Sequence, residues 1–311
     1  MAYNLKEVLN RPERFAPGHR LCAGCGAGIV CRAMMRAVDP EDKAVICNAT
    51  GCLEVSSFQY PFTAWEDSYI HTAFENASAT ASGVEAAYRA MKKKGKLEDT
   101  NYKILAIGGD GGTYDIGFQS LSGAFERGHD YTYFCYDNNA YMNTGTQRSS
   151  ATPRFASATT TPAGLESVGK KQVQKDLTRI MVAHGSPYVA QTTLIGNLKD
   201  FHEKAHKAIY TEGPTFVNVL CPCPRGWQYP AADLIKICKM AVETCVWPMY
   251  EVVNGEYRLS YQPKKKLPVE DFMSLQGRFK HCFAKGNEWT IVEAQKYVDE
   301  KWEQLLELCN V

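Results

Sequence analysis

Two residues in this sequence stand where a hard cation could be held. The segment "KILAIGGDGGTYDIG" (103–117) runs from an apolar stretch into five glycines set around one carboxylate, Asp110. Glycine loses more conformational freedom on folding than any other residue, so such a cluster marks a place where something comes close to the main chain. Asn138, in "YDNNAYMNTG" (136–145), follows 28 residues later. That interval fits one strand–helix–strand crossover, which would bring both strand ends to one edge of a parallel sheet. A carboxylate and an amide oxygen arriving together suit Mg²⁺, which takes few protein oxygens and fills its octahedron with phosphate and water. Glycines such as Gly109, Gly111 and Gly112 would let backbone N–H groups approach those phosphates, and the helix that follows would add its positive end. The plainer reading of the same residues is a pair of Asx turns.

A second set of residues suits a soft metal. "GHRLCAGCGAG" holds Cys22 and Cys25, "NATGCLEV" holds Cys52, and "LCPCPRGW" holds Cys221 and Cys223. Glycine and proline around these thiols mark loops with free backbone amides. Twelve cysteines are many for a chain without a secretory pattern, and in that setting they serve metals or catalysis more often than disulfides. Four thiolates hold either zinc or an iron–sulfur cluster. A zinc ribbon wants two paired knuckles and only the first is paired here, which leans toward a cluster. The C-x-x-C could also be a redox pair, but it precedes the first clear strand and lacks a βαβ setting. Cys47 and Cys135 fall in apolar strand patterns and read as core. Cys31, Cys238, Cys245, Cys282 and Cys309 read as core or surface residues.

The elements that must position these groups alternate along the chain. Buried strands are expected at 44–47, 103–108, 131–137, 187–193 and 215–220, several with no polar alternation, as in a parallel sheet covered on both faces. Helices are expected at 73–94, 117–128, 175–185 and 197–213. This is the α/β, doubly wound plan with a mostly parallel sheet, whose ligands sit at the carboxyl ends of strands. Residues 143–172 form a long Thr/Ser/Gly/Pro-rich loop directly after a strand end, which favours a functional role. Residues 1–227 read as the cofactor-binding domain with its cysteine loops. Residues 228–311 read as a C-terminal extension packed on that core, with a hairpin at Asn254–Gly255 and a final amphipathic helix. Formal net charge is +1, with no extended basic run pointing to nucleic acid, and no stretch reaches the roughly 20 apolar residues of a membrane span. The first residues, mixed and charged, do not resemble a secretory signal. A cytoplasmic protein is expected.

Taken with the cysteines, the turn at 108–112 and the asparagine-rich strand end resemble the β subunits of pyruvate:ferredoxin and other 2-oxoacid:ferredoxin oxidoreductases, those of oxalate oxidoreductase included. The blocks "GHRLCAGCG", "ATGCLEV", "YPFTAW", "HTAFENASATASGVEAA", "GGDGGTYDIGFQSLSGAFERGHD", "YDNNAYMNTGTQRS", "HGSPYVA", "CPRGW" and "GRFKH" carry the likeness through most of the chain. It implies a thiamine-diphosphate-binding fold in which Asp110, Asn138 and the Ala140 carbonyl ligate Mg²⁺. Thr50, Gly51, Gly109, Gly111, Gly112 and Thr144 would then line the diphosphate approach, with Asn143 facing the reactive end of the cofactor. It also implies that Cys22, Cys25, Cys52 and Cys223 ligate a [4Fe–4S] cluster, with Cys221 a neighbour. Asn139 departs from the acidic residue common at its position in such subunits.

The implied reaction is oxidative decarboxylation of a 2-oxoacid. Electrons pass through the cluster to ferredoxin, and in pyruvate-type enzymes the acyl group passes to coenzyme A. Thiamine enzymes need a carboxylate against the aminopyrimidine, and the resemblance puts it on a partner α subunit, which would also supply much of the substrate pocket. Glu54 and Glu75 are local candidates but read better as structural residues, and His71 as a packing histidine. Further γ and ferredoxin-like δ subunits, or fused equivalents, are implied for onward electron transfer. Three rival readings remain: a coenzyme A-independent oxalate enzyme of the same family, a thiamine enzyme with no electron-transfer role whose cysteines hold structural zinc, and a non-catalytic zinc-binding assembly subunit.

Overall fold

The computed structural model describes residues 4–97, 101–195 and 198–311. Its strands are β1 (Lys43–Ala49), β2 (Phe58–Gln59), β3 (Phe62–Thr63), β4 (Ser68–Thr72), β5 (Tyr102–Gly109), β6 (Thr132–Asp137), β7 (Tyr188–Thr193), β8 (Thr215–Leu220), β9 (Tyr250–Val253) and β10 (Glu256–Leu259). Eight of them form one sheet in the order β10-β9-β7-β8-β6-β5-β1-β4, while β2 and β3 make a separate small ribbon. The strands from β4 to β7 are mutually parallel, and β9 and β10 continue the sheet antiparallel beyond β7.

Why these residues make strands is visible in their burial. β6, β7 and β8 are buried at every position, because helices cover both faces and leave no solvent side for polar residues. The side-chain period of two then divides each strand between two cores. Leu105, Ile107, Phe134, Tyr136 and Val217 pack with helices Gly26–Met35, Lys199–Tyr210 and Leu234–Glu243. Ile104, Ala106, Tyr133, Cys135 and Phe216 face the other way, toward Phe118–Glu126, Leu177–Ala183 and the final helix Trp289–Cys309. Cys47 and Cys135 are fully buried, as an apolar strand pattern requires.

Helix ends are shorter than the periodicity predicts. The helix expected at 73–94 spans Ala77–Lys93, and the one expected at 197–213 spans Lys199–Tyr210; Asn197 of that expectation lies outside the described residues. The hairpin at Asn254–Gly255 forms with both residues at positive φ, 50° and 87°, the backbone of a tight primed turn. The 143–172 loop has no regular helix or strand. It is pinned by short bridges and by the buried Lys170, whose Nζ donates to the carbonyls of Ser150 (3.1 Å) and Thr152 (2.5 Å). No helix among the described residues is long and apolar enough to cross a membrane.

Candidate functional site

β5 and β6 are parallel neighbours with Gly109 opposite Tyr136, so both chains leave the sheet at the same edge. From β5 the chain enters a π-helical turn, Gly111–Ile116, and from β6 it enters the loop that begins at Asn138. Single turns of this kind recur at functional sites. The register thereby brings Asp110 and Asn138 together: the Asn138 N–H donates to Asp110 Oδ1 at 3.2 Å.

The side chain of Asn138 faces two oxygens. Its amide atom lies 2.9 Å from Asp110 Oδ1 and 2.8 Å from the Ala140 carbonyl oxygen. With nitrogen there, the amide donates to both. With oxygen there, three oxygens converge, the donor chemistry that Mg²⁺ takes. Asp110 is fully buried, and burial, with Asp137 beside it second, pushes its pKa well above the usual carboxylate range. Ser149 Oγ donates to its other oxygen at 2.5 Å. Asp137 is likewise pushed up by burial, to about 6, against the bonds it accepts from Tyr114 (2.7 Å) and Asn139 (2.6 and 2.9 Å). A bound divalent cation would reverse this balance, since it favours the ionised form.

A cleft of about 140 Å³ opens beside these groups. Thr50, Gly51, Gly109, Gly111, Gly112, Asn138, Ala140, Asn143 and Thr144 all line it, and so does Cys52. Two of its glycines, Gly51 and Gly111, have no room for a side chain as the neighbouring rings stand. A Cβ on Gly111 would lie 2.5 Å from the Tyr141 ring, and one on Gly51 would lie 2.8 Å from Tyr136 Oη. Phe74, Tyr136, Tyr141 and Met142 complete the walls; nothing in their spacing distinguishes them from core aromatics, so sequence reasoning passed over them. A second cavity of about 150 Å³ lies between the sheet and the final helix, but its walls bring together neither the glycines nor Asp110, Asn138 and Ala140.

Serine and threonine residues of the 143–172 loop tie it to the two strand ends. Thr152 Oγ1 donates to the Asn139 carbonyl at 2.6 Å, and Ser150 N donates to Asp115 at 2.9 Å. Asn143 and Thr144 stand exposed at the rim. His71, read from the sequence as a packing histidine, is instead exposed, because β4 is the edge strand of the sheet. Its Nε2 is 2.9 Å from Thr50 Oγ1, and its Nδ1 is 3.7 Å from Glu54. Glu54 sits in the first turn of helix Cys52–Ser57 and Glu75 is exposed; neither lines the cleft.

The four candidate cysteines come from three separate turns. Cys25 caps the helix Gly26–Met35, Cys52 opens Cys52–Ser57, and Cys223 caps Pro224–Trp227. Helix starts favour negative charge, which suits thiolates. Burial raises the pKa of Cys25 to about 11 and of Cys52 to about 12, and that of Cys223 also rises. Backbone N–H groups act against burial at Cys25 and Cys223, while the neighbouring cysteines add to it, so the four would repel one another as thiolates. Among the described residues no three His, Cys, Asp or Glu side chains stand at the spacing of a single metal ion. Cys221 is buried against the start of the first of these helices, where a Cβ on Gly26 would come within 2.9 Å of its sulfur.

Residues 49–219, which contain the glycine turn, β5, β6 and the cleft, match the thiamine pyrophosphate enzyme, C-terminal TPP binding domain. The chain is 53% identical to the pyruvate synthase subunit PorB of Methanocaldococcus jannaschii, over 94% of this chain and 96% of that one. It belongs to the β subunits of the 2-oxoacid:ferredoxin oxidoreductases. This β subunit is also 41% identical to the ketoisovalerate oxidoreductase subunit VorB of Pyrococcus furiosus, over 99% of this chain and 98% of that one. Its fold matches a 2-oxoglutarate:ferredoxin oxidoreductase from Magnetococcus marinus, solved with 2-oxoglutarate, coenzyme A and succinyl-CoA bound. The TM-score is 0.55 at 25% identity, covering 68% of this chain and 67% of that one. The chain is thus one subunit of a thiamine-diphosphate-dependent, multi-subunit oxidoreductase. Its mostly parallel sheet with helices on both faces is the fold that the alternating pattern predicts.

Proposed function

We propose that this β subunit serves the oxidative decarboxylation of pyruvate, with coenzyme A as acyl acceptor and ferredoxin as electron acceptor. In this reading Asp110, Asn138 and the Ala140 carbonyl hold Mg²⁺ and through it the diphosphate of thiamine diphosphate. Cys22, Cys25, Cys52 and Cys223 hold a [4Fe–4S] cluster. The observation that carries it is the convergence of the Asp110 carboxylate, the Asn138 side-chain amide and the Ala140 carbonyl at the ends of β5 and β6, beside a glycine-walled cleft that Cys52 also lines.

Bound thiamine diphosphate supplies carbanion chemistry and the cluster one-electron chemistry, neither of which the side chains provide alone. The chain's residues do the positioning. Gly109, Gly111 and Gly112 give the diphosphate access to the main chain, and Ser149 fixes the Asp110 carboxylate toward the cation. Asn143 and Thr144 stand at the rim where a small oxoacid would enter. Cys52 lines the cleft and would also be a cluster ligand, so one residue would adjoin both groups.

Since neither Glu54 nor Glu75 lines the cleft, the carboxylate for the aminopyrimidine comes from a partner α subunit, with γ and ferredoxin-like δ subunits or fused equivalents completing the cytoplasmic complex. Pyruvate is favoured over branched oxoacids by the higher identity to the pyruvate synthase subunit than to the ketoisovalerate one. Assay of the anaerobically purified complex with pyruvate, ketoisovalerate, 2-oxoglutarate and oxalate, with and without coenzyme A, tests this. Coenzyme A-dependent ferredoxin reduction fastest with pyruvate is expected. Fastest turnover of oxalate without coenzyme A would overturn it.

A further inference from the structure

Arg278 is a cation buried between the two sites. It belongs to the "GRFKH" segment near the C-terminus and is only 3% exposed. Among the described residues no carboxylate lies within ion-pair distance of it. Its guanidinium instead stacks on the Trp227 ring at 3.8 Å, Nε donates to Gln276 Oε1 at 2.9 Å, and Nη2 donates to Asn139 Oδ1 at 3.1 Å. Burying a guanidinium without a direct counter-ion is costly unless nearby negative charge compensates it.

Two of these contacts, Asn139 and Trp227, lead to the two sites. Asn139 passes on the interaction: its oxygen accepts from Arg278 while its Nδ2 donates to Asp137 at 2.6 Å. Trp227 ends the short helix that Cys223 caps, with Trp227 N donating to the Cys223 carbonyl at 2.9 Å, and its indole N–H donates to the Asn138 carbonyl at 2.7 Å. The approach is tight, for Gly277 N donates to the Gln228 carbonyl at 3.2 Å and a Cβ on Gly277 would meet Gln228 at 2.6 Å. The Arg278 carbonyl accepts from Ser157 N of the 143–172 loop at 2.9 Å. One side chain thus spans the Asn138 loop and the Cys223 turn.

We infer that Arg278 is a positioning residue whose fixed positive charge raises the reduction potential of the cluster held in part by Cys223, while its stacking on Trp227 holds that turn against the Asn138 loop. The inference rests on the cluster assignment above. Reduction adds a negative charge to the cluster, and a low-dielectric neighbourhood makes one fixed cation count more than it would in water.

The test compares wild-type complex, purified anaerobically, with Arg278→Lys, Arg278→Met and Asn139→Asp. Dithionite titration followed by electron paramagnetic resonance gives the cluster potentials, and iron and thiamine diphosphate content are measured on the same samples. Arg278→Met removes the charge, and Asn139→Asp puts a carboxylate against the guanidinium without removing it. Both are expected to shift one cluster potential to more negative values, while Arg278→Lys keeps it near wild type. If Arg278→Met fails to assemble, Asn139→Asp carries the comparison alone. Full iron content with unmoved potentials in every neutralising variant that assembles would overturn the inference and leave the cluster assignment standing. Wild-type complex whose only clusters lie on other subunits would overturn the cluster assignment and the inference with it.

Discussion

Asp110 has two environments to reconcile. Without a cation it is a fully buried carboxylate raised by burial and by Asp137; with one, it is a ligand. Asp110→Asn should therefore abolish the thermal stabilisation that Mg²⁺ and thiamine diphosphate confer and lower turnover by about 100-fold or more. The same variant, stripped of cofactor, should unfold no lower than stripped wild type, and a clear drop in that Tm would contradict the assignment. The pH dependence follows from the same pair. Asp137 has a folded pKa near 6, above the ordinary value, so its contribution to stability is full below about pH 4 and is lost as pH rises through about 6. A divalent cation favours the ionised pair, so the Tm gain from Mg²⁺ and thiamine diphosphate should grow over this window; a gain that shrinks would contradict it. Asp110 and Asn138 were legible in the sequence because a strand end and a glycine turn mark them locally. Arg278 was not, because its partner Asn139 lies 139 residues away and no spacing rule joins them.

At the scale of elements, the π-helical turn after β5 decides how closely a ligand can approach. Gly117 closes it, and a Cβ there would lie 2.1 Å from the Gly112 carbonyl oxygen and 2.9 Å from that of Glu75, backbone atoms that cannot swing aside. Gly117→Ala is expected to destabilise by about 1–3 kcal/mol, read as a lowered denaturation midpoint. Gly111→Ala would press on the movable Tyr141 ring, so a smaller stability loss with at least tenfold weaker thiamine diphosphate binding is expected in a cofactor titration. Gly83 is the control. It lies inside helix Ala77–Lys93 with nothing within 4 Å of a would-be Cβ, and Gly83→Ala should stabilise by about 0.5–1 kcal/mol. If all three glycines respond alike, the cradle has no special geometry. The turn's helical form was not legible, since five glycines carry no periodicity. The edge strand β4 was missed too, because "SYIHT" is short, mixed and largely exposed, unlike the buried runs of β5 to β8.

For the whole molecule, the sheet is what gathers distant residues. Cys52 follows β1, Asp110 follows β5, Asn138 follows β6 and Cys223 follows β8, all at the carboxyl ends of parallel strands. That alternation of buried strands and helices was readable along the chain. The strand order was not, because it depends on which hydrophobic faces find each other, and β9 and β10 join the sheet only through pairing with β7. The four-cysteine assignment makes a discriminating forecast at this scale. Cys223→Ser should lose cluster iron from the complex, whereas Cys221→Ser, at a fully buried core position, should keep it and only lower the Tm. Equal iron loss in both would contradict the distinction. The most direct test of the account is anomalous diffraction at the iron edge from crystals of the complex loaded with Mg²⁺ and thiamine diphosphate. The account expects an iron peak enclosed by Cys22, Cys25, Cys52 and Cys223, with a cation between Asp110, Asn138 and Ala140 bridging to diphosphate. No iron at those sulfurs, or a diphosphate bound away from that carboxylate, would contradict it.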